Sequence, residues 1–124
     1  MSLASQNKTV LVVDDSNFMR CIIKAILTKN GYTVIGEADN GALGLLKFRE
    51  LNPAFVTLDY NMEKLSGLDT LTQMKRWNPD AKIVMISAML GQPHIAKSAY
   101  VNGANAVLTK PIDSDRLLAV LDSI

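Results

Sequence analysis

The 124 residues predict a doubly wound α/β domain, five parallel strands with helices on both faces, and three observations carry that reading. Apolar runs alternate with segments of helical periodicity. The connections between them are short and rich in Asn, Gly and Pro. Four of the five runs end on a polar residue with chemistry to offer: Asp14-Asp15 after VLVV, Asp59 after FVTL, Ser87 after IVMI and Lys110 after AVLT. Strands that alternate with single helices form right-handed βαβ crossovers and hence a parallel sheet covered on both sides.

The elements follow in order. Val10 to Val13 is a continuous apolar run, the signature of a strand buried on both faces, and it stops at Asp14-Asp15-Ser16. Phe18, Ile22, Ala25, Ile26 and Lys29 recur at helical spacing before the Asn30-Gly31 stop. A second strand runs from about Thr33 to Ala38; Asn40-Gly41 opens a second helix, whose Leu45, Leu46 and Phe48 precede the Asn52-Pro53 break. Phe55 to Leu58 is the third strand. After the loop Tyr60 to Ser66 comes a helix with Leu68, Leu71, Thr72 and Lys75, ended by Asn78-Pro79-Asp80. Lys82 to Ile86 is the fourth strand, Pro93 to Asn102-Gly103 the fourth helix, Ala106 to Leu108 a short fifth strand, and Ser114 to Ile124 the last helix. Strand two is the most polar, with Thr33 and Glu37, which suits a sheet edge and the doubly wound order 2-1-3-4-5.

Composition narrows the function. Hydrophobic residues are 48% and charged residues 20% of the chain, an ordinary globular balance with room for one domain. The net charge of +1 provides no broad field for nucleic acid or an anionic membrane, so neither is expected as a partner. Cys21 is the single cysteine, which excludes an internal disulfide and a Cys-based metal site; within a helical pattern it is expected to pack as a small hydrophobe. No apolar stretch approaches membrane-spanning length and MSLASQNKT lacks a secretory apolar segment, so a cytoplasmic address is expected. Residues 1–8 read as an N-terminal tail and 9–124 as the domain.

The ends of parallel strands share one edge of the sheet, and open α/β folds place their sites there. Asp14, Asp15 and Asp59 would then crowd together. Two unit charges about 4 Å apart interact by roughly 4 kcal/mol at an effective dielectric of about 20, so three ionised carboxylates need a cation or raised pKa values. All-oxygen ligands select a hard ion, and Mg2+ suits a small, partly open acidic cluster. Lys110 adds a compact positive charge and Ser87 a hydroxyl donor. A carboxylate such as Asp59 can act as the nucleophile that forms an aspartyl phosphate, with catalysis supplied mainly by positioning and electrostatics.

VLVVDDSNFMR, LDYNM, SAM and LTKP, in this order and at compatible spacing, resemble the receiver domain of two-component response regulators, over nearly the whole chain from Val10 to the last helix. The resemblance implies the flavodoxin/CheY-like (βα)5 fold. It implies Asp59 as phosphoacceptor, Asp15 as a direct metal ligand, Asp14 as a supporting acid, Asn61 as a ligand through its backbone carbonyl, and Ser87 and Lys110 as the phosphate-sensing pair. It implies Mg2+ as cofactor and a phosphohistidine of a sensor histidine kinase as donor, a signalling domain with self-catalysed phosphotransfer and dephosphorylation rather than an enzyme on external substrates. Asn61 and Met89, two positions after Asp59 and Ser87, stand where the family tunes hydrolysis. The fourth helix, fifth strand and fifth helix would form the output face, with Lys97, Tyr100, Val107 and Arg116 as candidate contacts to a downstream protein or a covalently attached effector, as monomer or phosphorylation-promoted dimer.

SNFMR, KNGY, EADNG and SAMLGQ bring the chain nearer to single-domain, CheY-like chemotaxis regulators. It departs from their pattern at Glu63, at Ser66 and at Val107, which occupies the usual aromatic switch position, so any switch must be read out by backbone and helix shifts or another side chain. Taken singly, Asp15 or Ser16 is a helix cap, Lys110 and Ser87 are loop residues, and Asn61 serves a turn; their joint placement at strand ends favours chemistry. His94 reads as an exposed helix-start residue; Met62, Met74, Met85 and Met89 as core or loop filler; Trp77 as packing. Two other functions compete. A Mg2+ phosphatase of the haloacid dehalogenase type would want an aspartate where Asn61 stands, and a pseudo-receiver would bind partners without phosphorylation.

Overall fold

The computed structural model describes residues 8–62, 64–88 and 92–124. Five strands, β1 (Thr9–Val13), β2 (Thr33–Ala38), β3 (Phe55–Asp59), β4 (Lys82–Ser87) and β5 (Ala106–Thr109), alternate with five helices, α1 (Asn17–Lys29), α2 (Gly41–Leu51), α3 (Gly67–Trp77), α4 (Pro93–Val101) and α5 (Ser114–Ser123). The sheet is parallel throughout in the order β2-β1-β3-β4-β5. β2 is an edge, as its polarity predicts.

Alternation along the strands makes two cores. Leu11, Val13, Val56, Leu58, Ile83 and Met85 face the side that α2 and α3 close with Leu45, Phe48, Leu71 and Met74. Val10, Val12, Val84, Ile86 and Leu108 face the opposite side, closed by Ile23 and Leu27 of α1 and Leu117 and Leu121 of α5. The interiors of the central strands are therefore apolar on both faces, buried Thr57 of β3 excepted, and burial of both faces supplies the driving force.

Local chemistry sets the helix ends. The hydroxyl of Ser16 accepts from Met19 N–H, Asn40 Oδ1 from Leu43 N–H, and Ser66 Oγ from Asp69 N–H, each satisfying an amide that the helix itself leaves unpaired. Of the two capping candidates before α1, Ser16 takes the role and leaves Asp15 out of it. Pro93 occupies the first turn of α4.

One expectation about a side chain, that Cys21 packs, is corrected, and two aromatic residues turn out exposed. The buried face of α1 is Ile23 and Leu27, flanked by Met19 and Ile26, so Phe18 is 72% exposed. Cys21 lies on the outer side of the same helix and is exposed rather than packed. Trp77 is 59% exposed, with the Arg49 guanidinium stacked 4.7 Å from its ring centroid. The helical spacing marks α1; its phase against the sheet is fixed by the neighbouring residues.

Candidate functional site

Ladder registry brings the strand ends into line. Val13 lies opposite Leu58, Asp59 opposite Ile86, and Ser87 opposite Thr109. Main-chain bonds continue past the strands: Asp14 N–H donates to Ala38 O at 3.0 Å, Tyr60 N–H to Ile86 O at 3.1 Å, and Lys110 N–H to Ser87 O at 3.3 Å. Each functional residue therefore leaves the sheet at the same level.

Asp14, Asp15 and Asp59 each offer a carboxylate oxygen, and these oxygens lie within 4.8 Å of one another. Their environments differ. Asp14 is 1% and Asp59 3% exposed, whereas Asp15 is open to solvent. Asp14 Oδ1 accepts from Ser16 N–H at 2.9 Å. Asp59 Oδ1 accepts from Asn61 N–H at 3.3 Å. Lys110 Nζ stands 3.2 Å from Asp14 Oδ2 and 3.6 Å from Asp59 Oδ1. One ammonium faces two buried carboxylates.

That imbalance appears in the acidity of Asp59. Burial, followed by repulsion from Asp14, pushes its carboxyl up to about 7 against the opposing effects of Lys110 and the Asn61 N–H. The cluster is short of positive charge. An all-oxygen donor set with excess negative charge and one ligand open to water fits Mg2+, which retains several waters when bound by few carboxylates.

Ser87 is buried at the end of β4, and the Lys110–Pro111 peptide that follows β5 is cis. Asn61 is at the rim with its side chain exposed. Val107 is partly buried against the core shared with α3 and α4, and Lys97, Tyr100 and Arg116 are exposed on α4 and α5. Met89 and Glu63 lie outside the described residues. A cleft of about 450 Å³ between α2 and α3, lined by Arg49, Asp69, Thr72, Gln73, Arg76 and Trp77, belongs to neither the site nor that face. No sequence signal marked it, because the pairing of Arg49 with Trp77 joins positions on separate helices.

Five parallel strands in this order, carrying an acidic cluster and a lysine at the carboxyl edge, define the receiver class. A sequence model of the response regulator receiver domain matches residues 10–122, and the chain belongs to that family. It is 40% identical over 117 residues to the chemotaxis protein CheY of Thermotoga maritima, covering 94% of this chain and 97% of that one. Against the chemotaxis protein CheY of Bacillus subtilis it is 41% identical over 113 residues, 91% of this chain and 93% of the relative. The fold is similar to CheY in the crystal structure of the CheX-CheY-BeF3-Mg+2 complex from Borrelia burgdorferi, with a TM-score of 0.89, 32% identity, and coverage of 93% of this chain and 87% of that one. Vibrio cholerae CheY4 superimposes at a TM-score of 0.86 with 25% identity over 94% of this chain and 97% of the other.

Proposed function

We propose that this chain is a CheY-type receiver that accepts a phosphoryl group on Asp59 from a phosphohistidine of a sensor histidine kinase, with Mg2+ required, and signals through protein contacts. The single observation that carries the reading is the meeting of Asp14, Asp15 and Asp59 within 4.8 Å with the Lys110 ammonium 3.6 Å from Asp59. An Asp59 carboxylate oxygen attacks phosphorus as the phosphorus–nitrogen bond breaks, and the electron pair and then a proton go to the departing imidazole. Asp14, Asp15, Asp59 and the Asn61 carbonyl would hold Mg2+, which when bound supplies charge neutralisation for the phosphoryl oxygens. Lys110 pairs with the new anion, and the Ser87 hydroxyl donates to it.

A phosphoryl group adds about −1.5 to −2 charge at neutral pH, enough to draw Lys110, just after β5, and Ser87, at the end of β4, towards Asp59. β5 leads directly into the face formed with α4 and α5, where Tyr100 and Val101 are exposed beside Lys97 and Arg116. This is the output surface. Val107 has no ring to swing, so the shift of backbone and helix carries the signal. The relatives support a role in chemotaxis, and a cytoplasmic address accords with that role; among the described residues no helix is long and apolar enough to cross a membrane.

Intact mass after incubation with acetyl phosphate, with and without Mg2+, tests the reading on wild type and Asp59→Asn. One phosphoryl gained only by wild type and only with Mg2+ is expected. Turnover of a soluble phosphomonoester would point instead to a phosphatase, and no adduct under any condition to a binding module that is not phosphorylated.

A further inference from the structure

Arg20 stands outside the acidic cluster, yet its guanidinium is tied to the main chain that bears it. Nη1 donates to the Asp14 carbonyl at 2.7 Å, Nε to Glu37 Oε1 at 2.9 Å, and Nη2 to Asn17 Oδ1 at 3.2 Å. The Arg20 side chain is 13% exposed. A single planar group thus joins the turn after β1, the start of α1 and the edge strand β2. Glu37 is fastened in turn: Lys24 Nζ donates to Oε2 at 2.6 Å, and Lys47 Nζ to its main-chain carbonyl at 2.6 Å. Hydrogen bonds from Lys24 and then Arg20 hold the Glu37 carboxyl below the usual range, so the anchor is ionised at neutral pH.

The carbonyl that Arg20 grips belongs to the peptide joining Asp14 to Asp15. Turning that plane would re-aim both residues. Asp15 makes no side-chain hydrogen bond or ion pair among the described residues, so its direction comes from the main chain alone. Asp14 N–H is fixed by Ala38 O at 3.0 Å and its carboxylate by Ser16 N–H at 2.9 Å, while the carbonyl side of the Asp14–Asp15 peptide, on which the direction of Asp15 depends, is held by Arg20. We propose that Arg20, braced by Glu37, is a positioning residue that aims Asp14 and Asp15 at the divalent cation they share with Asp59. The proposal rests on the Mg2+-dependent reading given above. A rigid fork with several donors suits the task; an ammonium is a single point and cannot reach the three acceptors together.

Charge and position predict opposite signs, which makes the test sharp. A cation near a Mg2+ site repels the metal, so if Arg20 acted by charge alone, Arg20→Gln would bind Mg2+ more tightly. Loss of a residue that orients ligands weakens the affinity instead, by about 10–100-fold in comparable sites. Calorimetric titration of Mg2+ into wild type, Arg20→Gln, Arg20→Lys and Glu37→Gln reads this directly, alongside the melting temperature without metal. We expect about 10-fold weaker Mg2+ binding in Arg20→Gln, little rescue by Arg20→Lys, a smaller loss in Glu37→Gln, and an Asp59 adduct still formed at saturating Mg2+. Unchanged or tighter binding in a folded Arg20→Gln overturns the proposal. Should that variant not fold, full wild-type affinity in Arg20→Lys and Glu37→Gln does the same. Wild type that neither binds Mg2+ nor gains a phosphoryl would instead refute the receiver reading beneath it.

Discussion

The Lys110 ammonium stands 3.6 Å from Asp59 Oδ1 although β4 lies between the strands that carry them, and it is 3.2 Å from Asp14 as well. Its side chain crosses the strand end to reach the cluster. Removing it leaves two buried carboxylates without their ammonium and the incoming phosphoryl without a partner. Lys110→Gln should slow adduct formation from acetyl phosphate by about 100-fold, in line with the loss of one preorganised donor, while Lys110→Arg retains part of the rate. Time-resolved intact mass at saturating Mg2+ measures it; a rate within twofold of wild type would remove Lys110 from the chemistry.

Asp59 makes metal-free protein less stable as pH rises. Its carboxyl titrates near 3.8 when unperturbed and about 7 in the fold. Between those values the folded state holds a proton that the unfolded chain has lost, so stability falls as the pH climbs through this window. Asp59→Asn carries no such penalty. It should be more stable than wild type at pH 8 by on the order of 2–4 kcal/mol, and nearly equal at pH 4. Thermal melts at the two pH values give the comparison, and added Mg2+ should narrow the gap at pH 8.

Gly67 is a packing requirement of the site. A Cβ there would lie 2.4 Å from Asp59 O and 2.7 Å from Tyr60 O, both main-chain atoms, so the start of α3 and the end of β3 would have to separate. Gly67→Ala should cost about 1–3 kcal/mol and lower adduct yield along with stability. Gly31→Ala is the control. At φ +87 it strains the backbone, with nothing within 4 Å of the added carbon, so it should lower the melting temperature without touching Mg2+ affinity.

Tyr32 ties the turn after α1 to α5, donating its hydroxyl to Asp122 Oδ1 at 2.9 Å. Burial first, then the hydrogen bond and charge of Asp122, push its hydroxyl up to about 12 from 10.0. The bond contributes fully below pH 10 and is lost as pH rises towards 12, because the unfolded chain ionises first. Tyr32→Phe should therefore cost about 0.5–1.5 kcal/mol at pH 8, and the deficit should shrink or reverse near pH 11. Chemical denaturation at both pH values decides it; a deficit that grows with pH would contradict the assignment.

Most of the acidic site is legible in the sequence because Asp14, Asp59, Ser87 and Lys110 each follow a short, mostly apolar run, and runs of that kind alternating with single helices form parallel strands that end at one edge. Their burial is less legible. Asp14 and Asp15 are neighbours of identical chemistry, yet Asp14 is sealed against Lys110 while Asp15 stays open to water, a difference set by what packs over each of them. Arg20 was invisible for a related reason: its partners Asp14 O and Glu37 sit on the turn after β1 and on β2, remote from each other in the chain, and a main-chain acceptor has no residue signature.

The sequence by itself determined the alternation of strands and helices, the polar edge strand and the gathering of acids and a lysine at the sheet's carboxyl end, because hydrophobic periodicity and Asn, Gly and Pro stops act locally. Only the tertiary structure decided which face of α1 is buried, leaving Phe18 and Cys21 outside; that Trp77 stacks under Arg49 instead of entering the core; and that one ammonium bridges two sealed carboxylates. Those outcomes depend on distances between elements remote in the chain, and in a close-packed protein such distances are fixed by the shapes of all the neighbours at once.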